Sequence, residues 1–144
     1  MAADIYSVVI AASGAVVLAG ATYWFTKKRE REAELRKEKL EHYKELALSI
    51  SAIVSKEATP DGHRAFALAC NRMNLIARQS VLVALQEYQQ EIRVSNTDRS
   101  DDRHDRLLSC LFYEMRKDLN MSPKDQKSSF RVGLWASGQP PKTK

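Results

Sequence analysis

Apolar residues along this chain change their spacing at a few clear points. Residues 5–26, IYSVVIAASGAVVLAGATYWFT, carry no charge. As a helix rising about 1.5 Å per residue, that run would reach ~33 Å, against a hydrocarbon core of ~30 Å, so it predicts a transmembrane helix. Residues 27–39, KKREREAELRKEK, alternate charge with almost no apolar content. They predict a solvated, charged helical stalk. From Leu40 the pattern changes again. Leu40, Tyr43, Ala47, Ile50 and Val54 recur at alternating steps of three and four, and Leu46 and Ile53 widen the stripe. That is an amphipathic helix with one packed face.

Ala58-Thr59-Pro60-Asp61-Gly62 breaks this pattern and sets up the next helix, with Thr59 as cap and Pro60 at the first helical position. The periodicity predicts one helix from about His63 to Arg93. Phe66, Ala69, Cys70, Met73, Ile76, Ala77, Val81, Leu85, Tyr88 and Ile92 make its main stripe, and Leu68, Leu75 and Leu82 a second. A helix apolar on two sides needs two neighbours, as the middle member of a bundle has. Residues 94–103 read as a polar loop. A third helix follows from about Asp102 to Leu119, with Leu107, Leu108, Leu111, Phe112, Met115 and Leu119 on its apolar face and Asn120 as its C-cap. Beyond it, Phe130, Val132, Leu134 and Trp135 form an apolar cluster between basic residues, and QPPKTK reads as disordered.

Residues 5–26 admit three readings. Ala19-Gly20-Ala21 fits a small-x-small cleavage site, which favours a signal peptide. Against it, the first seven residues hold no Lys or Arg, and the positive charges come afterwards as Lys27, Lys28, Arg29 and Arg31. A buried core helix would show a polar stripe, and Ser7, Ser13 and Thr22 do not make one. The charge order is that of an anchor with its N-terminus outside and the rest in the cytoplasm. On this reading Tyr6, Tyr23, Trp24, Lys27, Lys28 and Arg29 sit at the membrane interface. Ser7, Ala11, Ala15 and Ala19 fall four apart on one face, where small side chains would let a second helix approach.

Net charge is +5, concentrated in residues 27–39 and 116–144 around a near-neutral middle. Basic flanks of this kind suit an anionic lipid surface. A nucleic-acid protein concentrates charge on its folded face, and Arg64, Arg72 and Arg78 lack exposed aromatics between them. Nucleic acid is therefore not the expected partner. Cys70 and Cys110 each lie among apolar neighbours in a predicted helix and read as reduced, buried small hydrophobes. With His42, His63 and His104 they make no metal-ligand motif, and neither metal nor cofactor is expected. The best acid–base candidates are His104 with Asp102 or Asp105, and Glu114 with Arg116, Lys117 and Asp118. Each set also reads as charges matched to a helix end.

The order of anchor, charged helix, apolar helix and then LLSCLFYEMRKDLN, with Met115-Arg116-Lys117-Asp118-Leu119 and the apolar patch around Phe130, resembles a widespread type of small bacterial membrane-anchored protein of unknown function. The resemblance implies a bacterial source and brings no activity and no site residue.

Together these readings predict an all-α protein. Residues 1–4 would lie outside the inner membrane and 5–26 would cross it once. Residues 27–39 would form the juxtamembrane stalk, 40–120 a cytoplasmic bundle of about three helices, and 121–144 a partly disordered tail with the apolar cluster. The expected role is a membrane-tethered adaptor or scaffold working through protein–protein contacts, with lipid, another membrane or cytoplasmic protein, or a second copy as partners. Its candidate contacts are Leu68, Leu75, Leu82, Phe130, Leu134 and Trp135. The alternative is a membrane-localised enzyme or regulator. An adaptor should expose an apolar patch, and an enzyme should form a concave pocket with converging polar groups.

Overall fold

A computed structural model describes residues 2–54, 58–121 and 124–134, with side chains from residue 18 onward. Among the described residues the protein is all-α, with four helices and no strand. These are α1 (Ala2–Val54), α2 (Pro60–Ile76), α3 (Gln79–Ile92) and α4 (Asp101–Asp118). The chain divides into two compact units, residues 1–38 and residues 39–144.

The first unit consists of the first part of α1. Its described side chains, from Leu18 to Glu38, are all exposed. Thr22 and Thr26 each return a hydroxyl hydrogen bond to the carbonyl four residues earlier, at 2.8 and 2.9 Å. Lys27 pairs with Glu30, and the Lys28 ammonium stands 5.5 Å from the Trp24 ring centre.

Here the structure corrects the expected single-pass anchor. No helix among the described residues is long and apolar enough to cross a membrane. The side chains described ahead of the charged stretch, Leu18 to Thr26, are all exposed. The charges of residues 27–39 follow at once. The transmembrane element of the fold and the inner-membrane placement are both withdrawn on this ground. Ser7, Ala11, Ala15 and Tyr6 lie outside the described side chains. Ala19, Tyr23, Trp24, Lys27, Lys28 and Arg29 are simply exposed on α1.

In the second unit the helical periodicity becomes a core. Tyr43, Leu46 and Ile50 of α1 are buried against Phe66, Ala69, Cys70 and Met73 of α2, Val81, Ala84, Leu85 and Tyr88 of α3, and Leu108, Leu111 and Met115 of α4. Thr59 caps α2 as its spacing predicts. Its side-chain oxygen accepts the Gly62 N–H at 3.1 Å, with Pro60 at the first helical position. Asp101 and Asp102 open α4, and Arg116 and Lys117 close it, each sign matched to the helix dipole. The C-cap is Leu119, one residue before the expected Asn120. Asn120 follows it in the left-handed region at φ 52°. The Asn120 N–H donates to the Lys117 carbonyl and the Met121 N–H to that of Arg116. This six-to-one, five-to-two pair is a Schellman ending, and asparagine tolerates the φ it needs.

The single long helix expected from His63 to Arg93 is two helices. Ala77 and Arg78 are both extended, at ψ 150° and 155°. Neither Gly nor Pro marks the break. Its cause lies forty residues away in Asp118, at the end of α4, whose side chain is only 1% exposed. That carboxylate accepts the Tyr43 hydroxyl at 2.6 Å and the Lys39 ammonium at 2.9 and 3.1 Å. The Arg78 side chain pairs with it at 2.8 Å, and the Arg78 backbone N–H also donates to it. A single acid thus holds α1, the α2–α3 joint and α4 together. Burial alone would raise the Asp118 carboxyl. The Tyr43 hydroxyl, the Lys39 ammonium and the Arg78 N–H outweigh that and hold it below its ordinary value.

A carboxyl depressed in the folded state stabilises the protein above its unfolded value of about 4, and that contribution is lost as pH falls through the folded value. Thermal melts of the wild type should therefore weaken as pH drops below about 4. Asp118→Asn should cost roughly 1.5–3 kcal/mol at neutral pH and flatten the acid limb. An unchanged acid limb in Asp118→Asn would refute this role. Thr59→Ala should cost about 1 kcal/mol through the lost cap, read from the same melts.

Candidate functional site

Among the contacts that join α1 to α2, one at buried Gly62 and one at exposed Arg72 fix how the two helices run. A Cβ added at Gly62 would come within 3.3 Å of the Ala52 carbonyl oxygen, so the absence of a side chain there permits the close approach. Farther along, Arg72 and Glu45 form an ion pair between the two helices. Numbers rise from 45 to 52 on α1 as they fall from 72 to 62 on α2, so the helices run antiparallel.

This pairing collects three leucines. Leu48 lies one turn from Glu45 toward Ala52, and Leu68 lies one turn from Arg72 toward Gly62. Both therefore flank the ion pair on the same side. Leu75 lies one turn beyond Arg72 in the other direction. Their exposures are 73% for Leu48, 53% for Leu68 and 88% for Leu75. Isolated surface leucines are ordinary, but three within a turn of one ion pair form a cluster. Full burial would stabilise each by roughly 1.5–3 kcal/mol, which this fold leaves unused.

The remaining candidate contacts sit elsewhere. Leu82 is half-buried and packs on the core, because the break at Ala77 and Arg78 turns α3 out of phase with Leu68 and Leu75. Phe130 and Leu134, in the segment after α4, pack against the second unit's own helices. Phe130 meets the Tyr113 ring edge-on at 5.7 Å, with the Arg116 guanidinium 5.6 Å from its ring centre. The Val132 N–H donates to Ser109 Oγ at 3.0 Å, and Leu134 packs against the core. Arg116 to Asp125 at 3.0 Å and Lys127 to Glu114 at 3.1 Å fasten the same segment along α4. Trp135 lies outside the described residues. The sequence pattern does not single out Leu48, a leucine on the polar side of an amphipathic stretch whose Tyr43, Leu46 and Ile50 face the core.

A concavity of about 1020 Å³ lies at the end of the bundle where α1 and α3 finish and α2 and α4 begin, lined among others by Phe66, His63, His104 and Asp105. His104 is already engaged on both ring nitrogens. Nε2 shares a hydrogen bond with the Tyr88 hydroxyl at 3.1 Å, and Nδ1 lies 3.1 Å from Asp105. The arrangement ties α3 to α4 and leaves neither nitrogen facing an open position. Burial first, then the nearby Asp105 charge, pushes the Tyr88 phenol up to about 12, so it remains a neutral hydroxyl at physiological pH. Burial likewise pushes the Cys70 thiol up, only partly offset by a hydrogen bond with Gln89. Both cysteines are free, Cys70 buried and Cys110 half-buried. Glu114, the other acid–base candidate, sits beneath Lys127, with its Oε2 buried and lacking a hydrogen-bond partner. No cluster of three or more His, Cys, Asp or Glu among the described residues could hold a metal ion.

Fold and surface together define the class as an all-α helical bundle with an outer leucine cluster. Compared with protein families, with characterised proteins and with solved structures, the chain matches none.

The Tyr88–His104 contact gives a direct test. In an alkaline titration followed by phenolate absorbance, the Tyr88 signal should appear only near pH 12. Tyr88→Phe should remove the step near pH 12, leaving only the Tyr43 phenol, which burial and Asp118 push higher still, and should cost about 0.5–1.5 kcal/mol in a thermal melt. A step near pH 12 that persists in Tyr88→Phe would overturn its assignment to Tyr88.

Proposed function

We propose that this chain is a helical interaction module, an adaptor or scaffold that works through protein–protein contacts. The observation that supports the reading is the cluster of Leu48, Leu68 and Leu75 around the Glu45–Arg72 ion pair on the outer α1–α2 face. Large apolar side chains left in water beside a well-filled core are what a docking surface requires. The core beneath is complete without them, so the fold itself gives no reason to keep leucine at these positions.

Stability and interaction should then separate. Leu68→Glu with Leu75→Glu should change folding stability by no more than about 0.5 kcal/mol per site, because both residues are surface positions away from caps and buried networks. In cells expressing the tagged full chain, chemical cross-linking should give discrete adducts with the wild type that the double variant loses. An unchanged adduct pattern in a folded double variant would refute this surface as the docking site. A large loss of stability would instead assign the leucines to the fold.

A further inference from the structure

We infer that the occupant of the outer α1–α2 face is a second copy of this chain, an inference that rests on the interaction-module reading above. The argument is charge complementarity combined with the leucine positions. The exposed outer side of α1 carries Glu41 and Glu45, with Lys44 paired to Glu41. The exposed outer side of α2 carries Arg64 and Arg72. Counting Lys44, the α1 side sums to −1, while the α2 side, with Arg64 and Arg72, sums to +2, with leucines on both.

Two twofold arrangements would bring such faces together. With the axis perpendicular to the helices, α1 would lie on its copy's α1 and α2 on α2, setting arginines against arginines. With the axis parallel to the helices, α1 would lie on the copy's α2 and α2 on its α1. The second arrangement brings Leu48 of one copy over Leu68 of the other, and it doubles the Glu45–Arg72 pair into a four-charge layer. Opposed like charges disfavour the first arrangement, and an isologous contact needs a surface that is its own complement. The face meets that need only in the second.

Its size sets the strength. Residues 41–52 and 64–75 are each ~17 Å of helix, and two helices of ~10 Å width give on the order of 300 Å² per copy. A stable complex buries about 800 Å² per partner, so the dimer should be weak and dependent on concentration.

Cysteine cross-linking of the full chain tests the arrangement. In a background with Cys70→Ala and Cys110→Ala, one copy carries Leu48→Cys and the other Leu68→Cys. Under mild oxidation the mixture should form a disulfide-linked dimer, and each variant alone should form several-fold less. Sedimentation over a range of concentrations should show reversible self-association of the wild type, weakened by about tenfold or more in Leu68→Glu. Predominant like-with-like cross-links would overturn the inference, as would a wild type that stays monomeric or self-association indifferent to Leu68→Glu. If the wild type is monomeric while its cellular adducts still depend on Leu68 and Leu75, self-association fails and the interaction-module reading stands. If those adducts are also indifferent, both fail. Because Cys70 is buried, melts of the cysteine-free background must match the wild type; if they do not, the sedimentation result alone decides.

Discussion

The bundle depends on a carboxylate placed where a carboxylate is costly. Asp118 is the last residue of α4, at the negative end of that helix's dipole, with its side chain almost wholly withdrawn from water. The cost is offset because the same carboxylate reaches the start of α3, where the dipole is positive, and takes the Arg78 N–H beside the Arg78 side chain. Tyr43 and Lys39 supply further donors from α1. The Lys39 and Arg78 side chains keep part of their surface in water, so neither cation bears a full desolvation penalty. Burial first, and then the hydrogen bond it donates to Asp118, push the Tyr43 phenol far above its ordinary value.

The opposite end of the α3–α4 pair repeats the device with the roles exchanged. Glu91 lies near the end of α3, and its carboxylate accepts the N–H of Ser100, the N-cap of α4, at 3.0 Å. Arg103 and Asn96 complete its partners, and the Ser100 N–H above all holds its carboxyl below the ordinary value. Ser100 makes no side-chain cap of its own, and neither does Arg78 at the start of α3. Each helix of this antiparallel pair therefore begins on a carboxylate from the end of the other. The apolar stripes set which faces meet, while the two acids set where along their length they meet. That division matters, because a stripe repeating every turn tolerates a slip that two end clamps do not.

This exchange explains what could be read from the sequence. Local signals worked where the cause was local. Thr59-Pro60 marked the start of α2, the acidic and basic turns bounded α4, and the three-four spacing picked out Tyr43, Ile50, Phe66, Met73, Val81 and Leu85 as core. The break at Ala77 and Arg78 was illegible because no residue near it breaks a helix and the acid that holds it open is Asp118. Missing that break carried Leu82 into one stripe with Leu68 and Leu75, although the extended pair places it on the core. The uncharged run 5–26 was read from its length, the Lys and Arg that follow it and the aromatics at its ends, yet among the described residues no helix is long and apolar enough to cross a membrane. Of the candidate surface, Leu68 and Leu75 were legible as a second stripe. Leu48 emerges only once the Glu45–Arg72 pair brings α1 alongside α2.

The leucine cluster and the acid clamps occupy different parts of the same helices, which shapes how the protein can change. Tyr43 and Leu46 look inward to Asp118 and the core, while Glu45 and Leu48 look outward from the same turns of α1. Leu68 and Leu75 do the same on α2 beside buried Ala69 and Met73. A substitution on the outer side meets solvent and one exposed ion pair, which contributes little to stability. A substitution on the inner side meets close packing and a carboxylate that four donors keep charged. Residues at the outer face can therefore be altered at small cost to the fold, whereas the inner positions that fix the helix arrangement cannot.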